Sequence, residues 1–440
     1  MKPSLELVAH RSAVASNRQT TLQVLVRILP PLGSKPHTVP LDLALALDRS
    51  GSMVGRPLEH AKAAARLLLE KLRPCDRISL VTFDSEAQVV ISGDEAYTKA
   101  ELGERIDSIQ VGGYTNLHQG WLEACWQLSK LQKSPGVKRT IVLSDGQANT
   151  GLTDTSRICR QVDEWSSRGV GTSTVGLGLE YNEELLARMA LAGGGDFFHA
   201  PAPEDVVGFF EGEFQSMGLT YGRTVGLHSQ GLGGAKVLRV YNPLQSRTDG
   251  TLRLSDLVLG CPKEVVFELS VPPTLAPQKL CRFVLSYTDI EQQRRCRVSA
   301  SLTLAVVQYG QLVEFPENVV VLQKRNLQLA ARAMAQATKF ISSGRPEEAR
   351  RTLDQALGLL RETEQNAQLM EAAESLRSML QSLQRREYEA VKKRSLAGST
   401  SLSRNSLSVS GGPLSEWLKL PPSERTQERL KRFFDEHGWD

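Results

Sequence analysis

From residue 41 to residue 219 the chain alternates short apolar runs with stretches in which apolar residues recur every three or four positions. LDLALALD (41–48) is apolar on both faces, as a strand covered by helices on both sides must be. RPLEHAKAAARLLLEKLRP (56–74) follows, with Leu58, Ala61, Ala65, Leu68 and Leu72 at helical spacing. ISLVTF (78–83), KRTIVLSDG (138–146), GVGTSTVGLG (169–178) and GDFFHA (195–200) supply further strands, and AQVVIS (87–92) reads as a hairpin partner of the strand before it. Helical patterns lie near 98–109, after the loop GGYTNLHQG (112–120), and ahead of each of the last two strands. Because right-handed crossovers leave few topologies open, this alternation predicts a doubly wound, Rossmann-like α/β domain over 41–219. In the strand order 3-2-1-4-5-6 the strands that end at Asp48 and at Asp145 lie side by side, flanking the crevice where the winding reverses. Two acids far apart in sequence are thereby expected at one rim.

Beyond residue 220 the period changes to two. In RCRVSASLTLAV (295–306) the residues Cys296, Val298, Ala300, Leu302, Leu304 and Val306 face one way, and Arg297, Ser299, Ser301 and Thr303 the other. AKVLRVYN, TLRLSDLVL, EVVFELSV and KLCRFVLSYTD behave alike, so 220–315 is expected to be an antiparallel β-sandwich. LELVAHR and TTLQVLVRI, within residues 1–40, are expected to pair with that set, which makes the α/β domain an insertion; the alternative is a separate N-terminal hairpin. Residues 316–394 read as helical in three segments, the third long enough for a coiled-coil or docking helix. The serine-rich stretch 395–413 reads as a flexible linker in which Ser395 and Ser406 are conceivable phosphorylation sites, and 414–440 as a short helical tail.

The candidate chemistry sits at the strand ends. Asp48, Ser50 and Ser52 offer one carboxylate and two hydroxyls on alternate residues. Thr115, in the glycine-rich loop, is placed to add a third hydroxyl, and Asp145 a second carboxylate across the crevice. Oxygen-only donors of this kind suit a hard divalent cation such as Mg²⁺. Taken alone, the stretch ALDRSGSM also fits a polar turn with a serine cap, but Thr115 and Asp145 in register disfavour that simpler account.

This set resembles the metal-ion-dependent adhesion site of von Willebrand factor A (VWA) domains, and 41–217 resembles that family's order of strands and helices. The flanking segments are more similar to bacterial cytosolic members than to secreted adhesins. The resemblance implies that the hydroxyls of Ser50, Ser52 and Thr115 contact the ion (Mg²⁺, Mn²⁺ or Ca²⁺) while Asp48 and Asp145 mostly hold its waters, and that an Asp or Glu of a partner protein completes the shell. It further implies a scaffold or adaptor role, sometimes alongside AAA+ ATPases. Arg49 is expected to be solvated, and Asn149 and Thr150 to serve turn chemistry.

Composition narrows the rest. At 40% hydrophobic and 23% charged residues the chain is a folded protein of several domains, and a net charge of +4 over 440 residues does not point to nucleic acid. No stretch is apolar enough to span a membrane and the N-terminus lacks a leader-like apolar run. Six cysteines without a CxxC pair, read as lying in helix-like or strand-like segments, fit reduced thiols, so a cytoplasmic location is expected. A magnesium-dependent phosphatase would need a second acid where Ser50 stands, no GxxxxGK[ST] loop is present, and the seven histidines show no metal spacing. His118 lies near the site loop and is expected to be satisfied or solvated. The expected function is therefore not enzymatic, the remaining rival being a structural scaffold with a non-functional metal site.

Overall fold

The computed structural model describes residues 2–31, 40–95, 97–131, 136–178, 180–200, 205–247, 249–361, 363 and 366–404. Three strands come first, β1 (Ser4–Ala9), β2 (Ala13–Ala15) and β3 (Thr20–Leu29). The α/β elements are β4 (Leu41–Asp48), α1 (Arg56–Lys71), β5 (Arg77–Phe83), β6 (Ala87–Ile91), α2 (Lys99–Asp107), α3 (Leu117–Lys130), β7 (Val137–Ser144), α4 (Thr155–Ser167), β8 (Val170–Leu177), α5 (Glu183–Gly193), β9 (Gly194–Ala200) and α6 (Asp205–Gly218). Next are β10 (Thr220–Gly231), β11 (Lys236–Val240), β12 (Leu252–Arg253), β13 (Leu257–Val258), β14 (Lys263–Val271), β15 (Lys279–Asp289), β16 (Arg294–Thr303) and β17 (Ala305–Val307). Four helices follow, α7 (Val319–Ser342), α8 (Pro346–Arg361), α9 (Ala367–Gln384) and α10 (Tyr388–Arg404). The described residues of 36–224 and 289–294 form one compact unit, and those of 1–35, 225–288 and 295–440 another.

The first unit is a six-stranded sheet in the order β6-β5-β4-β7-β8-β9, parallel except for β6, which runs antiparallel to β5. This is the doubly wound order expected from the sequence. Every residue of β4 is buried, as its central place demands. Leu41, Leu43, Leu45 and Leu47 share a core with Leu58, Ala61, Ala65 and Leu68 of α1 and Phe210 of α6. Alternation puts Ala44, Ala46 and Asp48 on the opposite face. There α3 packs, its Cys125 thiol 3.5 Å from Thr140 Oγ1 on the neighbouring strand. Cys75, exposed in the turn after α1, and Cys261, between β13 and β14, are not in regular elements, contrary to the sequence reading that placed every cysteine in a helix or strand; all six cysteines are free.

The second unit holds two antiparallel sheets, β1-β3-β14-β11 and β12-β10-β15-β16, with β13 also on β10. β3 pairs with β14 from Thr20↔Val271 to Ile28↔Lys263. The sheets meet through Phe267 of β14 and Phe283 of β15, both fully buried with ring centroids 4.8 Å apart. α7 lies on the first sheet, where Val321 packs with Leu25, Tyr241 and Val266. Buried Glu264 takes hydrogen bonds from Arg27 Nε at 3.1 Å and Lys324 Nζ at 2.8 Å, so the two cations of sheet and helix share one acid.

Two sequence expectations for the helices are corrected. The long third segment is two helices, because Arg386 adopts a left-handed backbone (φ 61°) and Glu387 N–H donates back to Ser382 O at 3.0 Å, closing α9. The flexible linker expected from residue 395 is helix as far as Arg404. Ser395 is fully buried, its Oγ 3.4 Å from Met379 Sδ, which removes it as an exposed modification site. Small residues serve packing here: a Cβ on Gly398 would stand 3.0 Å from Met334 Sδ and 3.5 Å from Met379 Cε. Ser406, the remainder of the expected linker (405–413) and the tail 414–440 lie outside the described residues.

Gly358 of α8 has open space around its missing Cβ, which makes a matched pair of substitutions informative. Gly398→Leu is expected to destabilise the helical region by about 1–3 kcal/mol through overpacking, and Gly358→Ala to stabilise it by about 0.5–1 kcal/mol through reduced unfolded-state freedom, both read by thermal and urea melting.

Candidate metal centre

The site is assembled by three chain segments at the C-terminal ends of neighbouring parallel strands. Asp48 ends β4 and Ser144 ends β7, and the two strands pair in register as far as Leu47↔Leu143. Asp48 is fully buried, and both its oxygens are occupied: Ser50 N–H donates to Oδ1 at 2.8 Å and Ser144 Oγ to Oδ2 at 2.5 Å. The chain then makes a single 3-10 turn at Gly51–Met53 before α1 begins. That turn aims Ser50 Oγ and Ser52 Oγ to within 3.2 Å of each other, and Ser52 Oγ donates to Asp145 Oδ1 at 2.7 Å.

Thr115 arrives on the loop before α3, which is zipped to its neighbours by backbone. Gly51 N–H donates to Gly113 O at 2.9 Å and Gly112 N–H to Arg49 O at 2.7 Å. On the other flank Thr115 N–H donates to Asn149 Oδ1 at 3.0 Å, and Asn149 N–H returns to Thr115 O at 3.2 Å. Gly146 shows where the three hydroxyls point. A Cβ there would stand 3.2 Å from Ser52 Oγ, 3.2 Å from Thr115 Oγ1 and 3.9 Å from Ser50 Oγ. The three hydroxyls thus converge on one small volume that any side chain at Gly146 would fill, and Asp145 and Asp48 are tied to the same loop through Ser52 and Ser50.

This donor set fits a hard, oxygen-seeking divalent cation: three neutral hydroxyls and two carboxylates, with no sulfur or imidazole among them. Among the described residues no group of three or more His, Cys, Asp or Glu side chains is arranged to hold a metal, so oxygen donors of lower charge are what this rim offers. Burial pushes the Asp48 carboxyl up to about 6, against the opposing hydrogen bonds of Ser144 and Ser50, and burial also raises Asp145. Two acids each raised by burial at one rim are the electrostatic counterpart of a cation site.

Sequence reasoning missed three supporting residues. Ser144 fixes Asp48, Asn149 fixes Thr115, and Asp84 holds Arg49 in an ion pair at 3.1 Å. Arg49 is therefore not solvated as expected; its side chain is 24% exposed and turned onto the loop after β5. A Cβ on Gly112 would collide with the Asp84 carboxyl, so that glycine serves this pairing. His118 Nε2 is 2.7 Å from Gln161 Oε1 and its ring leans on Trp121, away from the hydroxyl cluster.

A doubly wound α/β domain with an oxygen-lined rim between its first and fourth strands defines a class, and the comparisons name it. Residues 42–211 match the von Willebrand factor type A domain family, and this part of the chain is such a domain. An uncharacterised Synechocystis protein, sll0103, is 29% identical over 201 residues, which cover 45% of this chain and 47% of that protein. The chain thus spans about half the length of the curated relative it matches. Among solved structures, the ArnB paralog VWA2 from Sulfolobus acidocaldarius is similar over 92% of this chain and 99% of its own, with a TM-score of 0.62 at 19% identity. A von Willebrand factor type A protein from Catenulispora acidiphila is similar over 87% and 89%, with a TM-score of 0.67 at 15% identity. At these identities the likeness is one of fold.

The raised Asp48 carboxyl has a defined sign. The metal-free folded protein keeps the proton up to about pH 6, whereas the unfolded chain releases it near 3.8. Metal-free stability is therefore expected to fall by about 2 kcal/mol as pH rises from 4 to 6.5, and Asp48→Asn to remove that loss. Melting curves in chelator across this range check it; an equal pH slope in wild type and variant contradicts it.

Proposed function

We propose that this chain is a non-enzymatic, metal-dependent protein-interaction module or adaptor. A divalent ion, Mg²⁺ (or Mn²⁺ or Ca²⁺), held by Asp48, Ser50, Ser52, Thr115 and Asp145, would receive an Asp or Glu carboxylate of a partner protein. The convergence of three neutral hydroxyls on the volume beside Gly146 carries this reading. Hydroxyls neutralise little of a divalent charge, so the ion would supply an electrophilic centre that favours an acid from outside.

Other features support the same reading. Ser52 is exposed, and the loops that build the rim carry exposed apolar side chains at Val54 (65%), Tyr114 (69%) and Val111 (37%). Such a collar suits a partner whose acid sits among apolar neighbours and disfavours free small acids. Protein contact is also what VWA domains are known for. A magnesium phosphatase is the weaker reading, because Ser50 stands where such an enzyme would need its second acid. A scaffold with an idle metal site is weaker too, since all five donor residues are gathered at one rim. An AAA+ ATPase partner comes from resemblance to bacterial relatives and belongs to the proposal alone. The free thiols fit a reducing compartment such as the cytoplasm, and among the described residues no helix is long and apolar enough to cross a membrane.

Calorimetric titration with Mg²⁺ and Mn²⁺ is expected to show one site per chain. Thr115→Ala and Ser50→Ala should weaken it at least tenfold, and Ser144→Ala, which removes a support of Asp48, by about 10–100-fold. Affinity capture with wild type, with Asp48→Ala, and with chelator is expected to lose the same partners in the last two. Tyr114→Ala should lower capture while leaving the metal titration unchanged. Full metal affinity in the Thr115 and Ser50 variants contradicts the site, and partners indifferent to chelator contradict the function.

A further inference from the structure

Thr115 is held from both sides by a turn that supplies none of the five donor residues. That turn, residues 84–86, joins β5 to β6 and closes on itself: Asp84 N–H donates to Glu86 O and Glu86 N–H to Asp84 Oδ1, both at 3.0 Å. Its outward groups serve the loop before α3. Tyr114 N–H donates to Ser85 Oγ at 3.1 Å and Asn116 N–H to Asp84 O at 2.7 Å, so the residues on either side of Thr115 are both tied to the turn. Asn116 Nδ2 adds a contact of 3.4 Å to Ser85 O. The same corner holds the loop that carries the two serines. Arg49 N–H donates to the carbonyl of Phe83, the last residue of β5, at 2.9 Å, and the Arg49 guanidinium pairs with Asp84 Oδ2 at 3.1 Å. Asp84 thus divides its carboxylate, one oxygen for its own turn and the other for the serine loop.

The turn presses closely on the threonine loop. A Cβ on Gly112 would overlap the Asp84 carboxyl, and one on Gly113 would stand 2.7 Å from Ser85 Oγ. Neither glycine has a positive φ, so what the pair supplies is close approach rather than backbone freedom. The ion pair is half-buried, and removing one partner would leave the other charge uncompensated beside the serine loop. Two roles for the pair differ in sign. If Arg49 acted on a bound cation through its charge alone, removing that charge would tighten metal binding and removing the Asp84 charge would loosen it. If the pair holds the two loops against each other, removing either partner loosens it.

Granted the metal centre proposed above, we propose that Asp84 and Ser85, together with Arg49, are positioning residues for it: they brace the loop that carries Ser50 and Ser52 against the loop that carries Thr115, so that the hydroxyls stand in place before an ion arrives. None of the three is a ligand. They act through backbone N–H groups and through one ion pair, and the turn between β5 and β6 thereby becomes a working part of a rim to which it gives no donor.

The test uses the full chain. In chelator, amide exchange across 112–116, read by mass spectrometry, is expected to quicken by about tenfold or more in Asp84→Asn and in Arg49→Met. Calorimetric titration with Mn²⁺ should be weaker by about 10–100-fold in both, and within about threefold of wild type in Arg49→Lys, which keeps the charge. The double variant Arg49→Met/Asp84→Asn should bind no more weakly than the weaker single variant, because the two residues act as a unit. Ser85→Ala, the mildest change, should cost about threefold in affinity and serves if the others melt early. The proposal is overturned if Arg49→Met binds Mn²⁺ as tightly as wild type or tighter, or if exchange across 112–116 is the same in wild type and variants. Wild type that takes up no Mn²⁺ would overturn the metal centre itself and this role with it, whereas variants that match a metal-binding wild type overturn the bracing role alone.

Discussion

The in-register pairing of β4 with β7 is the constraint on which the rim depends. It sets Leu47 beside Leu143, which places Asp48 next to Ser144 and within reach of its hydroxyl. That hydrogen bond joins residues 96 apart in sequence, and Asp145 follows directly, already turned toward Ser52. A slip of one residue in this pairing would send Asp48 to the leucine face and dissolve the cluster. The apolar character of both strands is thus a condition of the site, since it is what holds the register.

The energetics of the rim run against those of the core beneath it. Burial raises both acids, and the hydroxyls of Ser50, Ser52 and Ser144 only partly offset the desolvation. The arginine nearest in sequence, Arg49, is paired with Asp84 instead. A cation bound there, as proposed, would offset this cost, and its binding would stabilise the fold by mass action. The second unit shows the opposite solution, where Glu264 meets both Arg27 and Lys324 and the buried charge is matched within the chain.

Much of this was legible in the sequence because it follows from period and position. A strand apolar on both faces is central, and a polar cluster just past its end lies in the crevice, whichever side chains surround it. Thr115 was legible by its loop, whereas Ser144 was read as the end of a strand and given no part as the support of Asp48. What escaped depends on neighbours that local pattern does not reveal. Arg49 looked solvated since its partner Asp84 comes from another loop. Residues 385–387 carry no glycine or proline, so the break at Arg386 left no mark. Ser395, Gly398 and Ser399 have the composition of a linker, and only the facing Met334 and Met379 make them a close helix contact.

The most direct measurement is a crystal structure of the Mn²⁺-soaked protein with anomalous scattering recorded at the manganese edge. A single strong peak is expected within coordination distance of Ser50 Oγ and Ser52 Oγ, bordered by Thr115 and the two carboxyls. A fully occupied manganese elsewhere, with the hydroxyls of Ser50, Ser52 and Thr115 still bonded only to protein, would contradict it.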